Sequence, residues 1–158
     1  MYEDIKQKIY GLFTAKDVRV EHNSTIDRDN FCCLNIRYQP VRGMTLITGT
    51  FSDDTIEILL LAHEFGHILH YEALSRKEAE IAYCTIFAAN HLGLENISPD
   101  GKKTVIAIEK KASEYALTLL RDLIKDGALM EAARKTYGSW IKGYFRKARM
   151  VEMDASSP

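Results

Sequence analysis

The stretch "LLLAHEFGHILHYEAL", residues 59 to 74, constrains this chain more than any other. Ile58, Leu59, Leu60, Leu61, Ala62, Phe65, Ile68 and Leu69 make it apolar almost all round, so a helix here is buried. Into that apolar surface are set His63, Glu64 and His67. Buried polar and ionisable groups are costly unless paired or bound to a metal. An exposed helix with incidental histidines is the competing reading, and the apolar surroundings weigh against it. Residues four apart on a helix share a face, so His63 and His67 can place two imidazole nitrogens on one zinc ion. Glu64 lies about 100° further round the helix and can reach a water activated by that ion without ligating the ion itself. The same carboxylate can pass the proton on to a leaving amine. Gly66 is expected to leave room beside the metal for substrate.

The elements around this helix follow from periodicity. Ile5, Ile9, Leu12 and Phe13 recur at helical spacing. Val18 and Val20 alternate with Arg19 and Glu21, a strand signal. "FCCLNIRYQP" alternates through Leu34, Ile36 and Tyr38 and stops at Pro40, and "GMTLITGTF" is a third, β-branched strand. Ser52 reads as the N-cap of the metal helix, with Asp53 and Asp54 in its first turn, and the helix should run to about Leu74. Further helices are expected over about Lys77 to Leu92, closed by Gly93, over Lys103 to Lys125, and over Leu129 to Arg149. "ENISPDGKK" reads as a loop, and Gly138 and Gly143 weaken the last helix enough to split it in two. One helix, a few strands, then helices only is an α+β order, in a single domain over 1–154 with a frayed tail at 155–158.

A catalytic zinc site takes three protein ligands and keeps one position open. His70 is nearest by sequence, but a regular helix sets it about 10.5 Å along the axis from His63. Bonds of about 2 Å cannot bridge that distance, so His70 reads as a support or core residue. The later stretch "IEKKASEYALTLL" offers a better candidate. Ile108, Ala112, Tyr115, Ala116 and Leu119 form an apolar face there, and Glu109 sits at its edge. Ala112 is small enough to let this helix approach the first one closely. Glu114 points to another side, and Glu78 and Glu80 could ligate only if the chain folded straight back after Leu74. Their ordinary reading is a solvated face. His22 and His91 read as satisfied core or surface histidines.

The remaining composition excludes more than it assigns. The 158 residues carry a formal net charge of −1, so no global field points to nucleic acid. Cys32, Cys33 and Cys84 make a poor disulfide framework, and reduced, mostly buried thiols in a cytoplasmic protein are expected. The N-terminus starts acidic with no apolar leader, and no apolar run is long enough for a membrane. In "WIKGYFRKARM", Lys142, Arg146, Lys147 and Arg149 interleave with Trp140, Tyr144 and Phe145. The spacing fits an amphipathic helix covering the core, in preference to a nucleic-acid or partner surface.

"LAHEFGHILH" followed by "EKKASEYA" resembles the ImmA/IrrE metallopeptidase family. The resemblance covers roughly residues 45 to 120. It implies a zincin-like fold, His63 and His67 as zinc ligands, Glu64 as the catalytic carboxylate and Glu109 as third ligand. It also implies proteolytic inactivation of a partner regulator such as a transcriptional repressor, with any DNA binding left to that partner. Ser113 stands where the family usually has Asp or Asn, which motivates an alternative: a non-catalytic zinc-containing module that sequesters a regulatory partner. If the site is a peptidase, an extended substrate needs a sheet edge, which "GMTLITG" could offer unless it is an internal strand. An oxyanion donor is also expected, with Tyr71, Tyr115 and His91 as candidates.

Overall fold

The computed structural model describes residues 2–37 and 43–151. Tyr38 and Pro40, where the second strand was expected to end, and the tail at 155–158 lie outside the described residues. The elements run α1 (Tyr2–Ala15), β1 (Val18–His22), β2 (Cys32–Arg37), β3 (Gly43–Thr48), α2 (Asp54–Ala73), α3 (Arg76–Leu92), a short 3-10 turn (Leu94–Asn96), α4 (Pro99–Leu123) and α5 (Gly127–Ala148). This is an α+β fold, with five α-helices and one small mixed sheet among the described residues.

The sheet order is β1-β3-β2. β1 pairs with β3 in parallel and β2 pairs with β3 antiparallel, with Leu34 opposite Leu46. β3 is therefore the central strand. The "GMTLITG" segment is internal, and β2 has one paired neighbour among the described residues.

α2 runs through the middle of the molecule because it has apolar side chains to bury in most directions. Ile58, Leu59, Leu61, Ala62, Phe65 and Ile68 all lie in the main core with Ile9, Phe13, Leu46, Ala116 and Leu120. Each fully buried Leu, Ile or Phe contributes about 1.5–3 kcal/mol by leaving water. Phe13 of α1 meets Phe65 edge-on with ring centres 5.2 Å apart. At the entry to α2, Lys6 lies within 2.8–3.1 Å of carboxylate oxygens of Glu3, Asp54 and Glu57, and Tyr10 donates to Glu57 at 2.8 Å. The N-cap of α2 is Asp53, one residue past the expected Ser52: its carboxylate accepts from the Ile56 N–H at 2.9 Å.

α3 opens on a Ser75–Glu78 capping box and closes on Gly93, whose φ of 87° suits a residue without a Cβ. It buries only Ala82 and Ala89, leaving Ile81, Phe87, Leu92 and Cys84 exposed. The cysteines are free, but Cys33 and Cys84 are exposed where mostly buried thiols were expected. α4 begins earlier than the spacing suggested. Ser98 caps it by accepting from the Gly101 N–H at 3.1 Å, and Pro99 takes the first helical position, where its missing N–H is no loss. Half of the expected "ENISPDGKK" loop is thus helical.

α5 is one helix. Gly138 and Gly143 do not divide it, because Leu129, Met130, Ala133, Tyr137, Phe145 and Ala148 anchor it against the rest of the chain on both sides of them. Its basic residues Lys142, Arg146 and Lys147 are exposed, as an amphipathic covering helix requires. Tyr137 ties α5 to α2 by donating to the Leu59 carbonyl at 2.7 Å. Both groups are buried, so Tyr137→Phe strands a carbonyl away from water. Urea unfolding should show a loss of about 1–3 kcal/mol; a change below about 0.5 kcal/mol would mean that this bond does not tether the helix. No helix among the described residues is long and apolar enough to cross a membrane.

Candidate metal centre

α2 packs more extensively against α4 than any other two elements pack together, and their crossing is set by one glycine. An ideal Cβ on Gly66 would sit 2.1 Å from the Ala112 carbonyl oxygen and 2.9 Å from its carbon. The space beside Gly66 therefore belongs to the α4 backbone, where room for substrate had been expected. Ala112 itself is fully buried, as its small size suggested.

That close approach carries Glu109 to the two histidines. His63 Nε2 lies 2.9 Å from Glu109 Oε2, and His67 Nε2 lies 3.5 Å from the same oxygen. His63 and Glu109 are each 6% exposed, which for a carboxylate demands compensation. One donor atom from each of His63, His67 and Glu109 lies within 4.8 Å of the others. With bonds of about 2.0–2.2 Å, neighbouring ligand atoms in a tetrahedral zinc site stand about 3.3–3.5 Å apart. The three side chains could hold a divalent metal once His63 and Glu109, at 2.9 Å, part by a few tenths of an ångström. Two nitrogens and one carboxylate oxygen also form the donor set of a site that keeps a position open.

The charges within the cluster are strongly coupled. Burial pushes the Glu109 carboxyl up, but the adjacent imidazoles, His67 foremost, outweigh it and hold the group well below the usual carboxylate range. Burial pulls the proton affinity of His67 down, and Glu109 with Glu64 more than restores it. Glu64 goes the other way. Burial raises its carboxyl above the ordinary range, against the lowering influence of His67, His63 and the Leu34 N–H. That N–H, on β2, donates to Glu64 Oε2 at 3.0 Å. Glu64 is not among the three grouped residues.

The other carboxylates stay away. Glu78 belongs to the α3 capping box, Glu80 is exposed, and Glu114 is exposed and pairs with Lys111 at 2.6 Å. His70 is outside the ligand group and packs over Tyr115 with ring centres 6.4 Å apart. His91 is exposed and its Nδ1 lies 2.9 Å from the Phe87 carbonyl, while His22 Nδ1 lies 3.2 Å from Thr48 Oγ1.

α5 supplies what the spacing did not reveal. Tyr137, Trp140 and Tyr144 fall at positions i, i+3 and i+7 and share one face. The rings of Tyr137 and Trp140 lie 5.8 and 5.6 Å from that of His63. Tyr144 follows on that face, and burial first, then the nearby charges of Glu109 and Glu64, push its phenol well above the ordinary range. The signal for it, an aromatic at helical spacing, is the same one that marks an ordinary core residue. Ser113 Oγ lies 3.2 Å from His63 Nδ1. Comparison with family models, with curated proteins and with solved structures returns no match.

Proposed function

We propose that this chain is a zinc-dependent metalloendopeptidase with a zincin-like site, acting on a regulatory protein such as a transcriptional repressor. The observation that carries the reading is the convergence of His63, His67 and Glu109 beside a fourth, non-ligating carboxylate, Glu64. The two motifs that resemble the ImmA/IrrE family lie on the two helices that cross at Gly66, which supports the same reading.

His63 and His67 would hold zinc through Nε2, and Glu109 through a carboxylate oxygen. Zinc, when bound, supplies a Lewis acid that brings the pKa of water toward neutrality. Glu64, with its proton affinity raised by burial, accepts the proton released as water oxygen bonds to the scissile carbonyl carbon. It then delivers that proton to the amide nitrogen as the C–N bond breaks. Tyr137 and Trp140 pack against His63 and keep water from its far side.

β2 supports an extended peptide as substrate. The Phe31 carbonyl accepts from Gly49, so odd-numbered residues turn their main-chain groups toward β3. Those of Cys32, Leu34 and Ile36 face the edge left unpaired among the described residues, where Leu34 N–H meets Glu64. A peptide added there as a strand would pass beside the carboxylate that handles the proton.

The test is chelation and reconstitution on a protein substrate. The zinc-loaded chain should cut an unfolded protein such as casein, or a candidate repressor; a chelator should abolish cutting and added zinc restore it. In the same preparations Glu109→Ala should lose most of its zinc, read as metal per chain by elemental mass spectrometry after dialysis. A partner bound but never cut at full zinc occupancy would replace the peptidase with the sequestering module. Zinc retained by Glu109→Ala would remove Glu109 from the ligand set.

A further inference from the structure

One of the three candidate ligands is itself gripped from behind. His63 presents Nε2 to Glu109 and Nδ1 to Ser113 Oγ, 3.2 Å away. Ser113 is 6% exposed, so no bulk water competes for that nitrogen. Ser113 lies four residues after Glu109 on the same face of α4.

We propose that Ser113 is a positioning residue for the metal centre, a neutral hydroxyl behind His63 that sets how tightly the centre holds a divalent ion. The inference rests on the metal-binding part of the reading above and is independent of peptide cleavage.

An imidazole that binds metal through Nε2 must carry its proton on Nδ1, and that proton needs an acceptor. Ser113 Oγ supplies it, fixing both tautomer and ring plane. A carboxylate behind the histidine would add negative charge and raise the basicity of the imidazole. Ser113 adds none. Two neutral imidazoles, one carboxylate and a neutral hydroxyl leave a divalent ion with net positive charge. The centre trades affinity for a stronger pull on the groups that enter its open position.

The experiment is zinc affinity alone, measured by competition with a chromophoric chelator at neutral pH, with no substrate present. Ser113→Ala should weaken binding about 10–100-fold. Ser113→Thr keeps the hydroxyl and should return binding to near the wild-type value. Ser113→Asp should tighten it about tenfold through the added charge. Restoration by Thr and tightening by Asp would not follow from loss of packing. An affinity within about twofold of wild type in Ser113→Ala would overturn the proposal, as would Ser113→Asp binding no tighter than Ser113→Ala. Failure of wild type to bind zinc would remove both this proposal and the peptidase. Zinc binding in the expected pattern without cleavage of any peptide would remove the peptidase alone.

Discussion

Glu64→Gln is expected to keep zinc at the wild-type ratio and to hydrolyse peptide bonds about 10²–10⁴-fold more slowly, with the loss in kcat. The amide has nearly the shape of the carboxylate and still offers an oxygen to the Leu34 N–H at 3.0 Å, so the local structure has no reason to change. It cannot accept a proton at neutral pH. The candidate ligands His63, His67 and Glu109 are untouched, so metal content separates a lost base from a lost ion. Two measurements on one preparation suffice: zinc per chain, and turnover of a peptide substrate under saturating conditions. Cleavage at the wild-type rate would exclude Glu64 as the base.

The second large effect concerns a residue that touches neither metal nor substrate. Gly66→Ala should destabilise the fold by about 3 kcal/mol or more, the upper range for overpacking. The added carbon would meet Ala112 main-chain atoms at 2.1, 2.9 and 3.2 Å. Backbone at a helix crossing has no flexible tip that can swing away. α4 would have to move off α2, loosening Ala112, Ala116 and Leu120 from the core and drawing Glu109 from the histidines. Zinc affinity should therefore fall together with the midpoint of urea unfolding. Gly11→Ala and Gly138→Ala are the controls. Both positions are exposed inside helices with nothing within 4 Å of an added Cβ, so each should gain up to about 1 kcal/mol. A Gly66→Ala protein as stable as these controls would show that the helices do not cross as described.

The candidate triad was legible because chemistry and periodicity coincide in it. His63, Glu64 and His67 interrupt an apolar helix where only a compensated polar group belongs, and Glu109 borders an apolar face that needs a partner. α5 was legible as a covering helix but not as part of the site. Tyr137 and Trp140 carry the same spacing as any buried stripe, and only the tertiary arrangement sets them against His63. Gly66 was readable as a gap but not as whose gap, since Ala112 lies 46 residues along the chain. The start of α4 was present in Ser98-Pro99, a cap followed by a proline, yet the surrounding polar residues read as loop. The order of the strands could not be read from their spacing at all, because both β1 and β2 satisfy the alternation that β3 shows.

The position of β2 has a consequence for handling the protein at high concentration. A strand with one paired neighbour among the described residues can also pair with the same strand of another molecule, or with any extended chain in a crude extract. Edges of this kind are usually defended by charge, proline or brevity. β2 is six residues long, and Glu64 already engages the Leu34 N–H near its middle. Removing that carboxylate altogether would disarm the edge as well as the chemistry. Glu64→Ala should therefore self-associate more readily than Glu64→Gln, a difference that sedimentation at rising protein concentration would reveal.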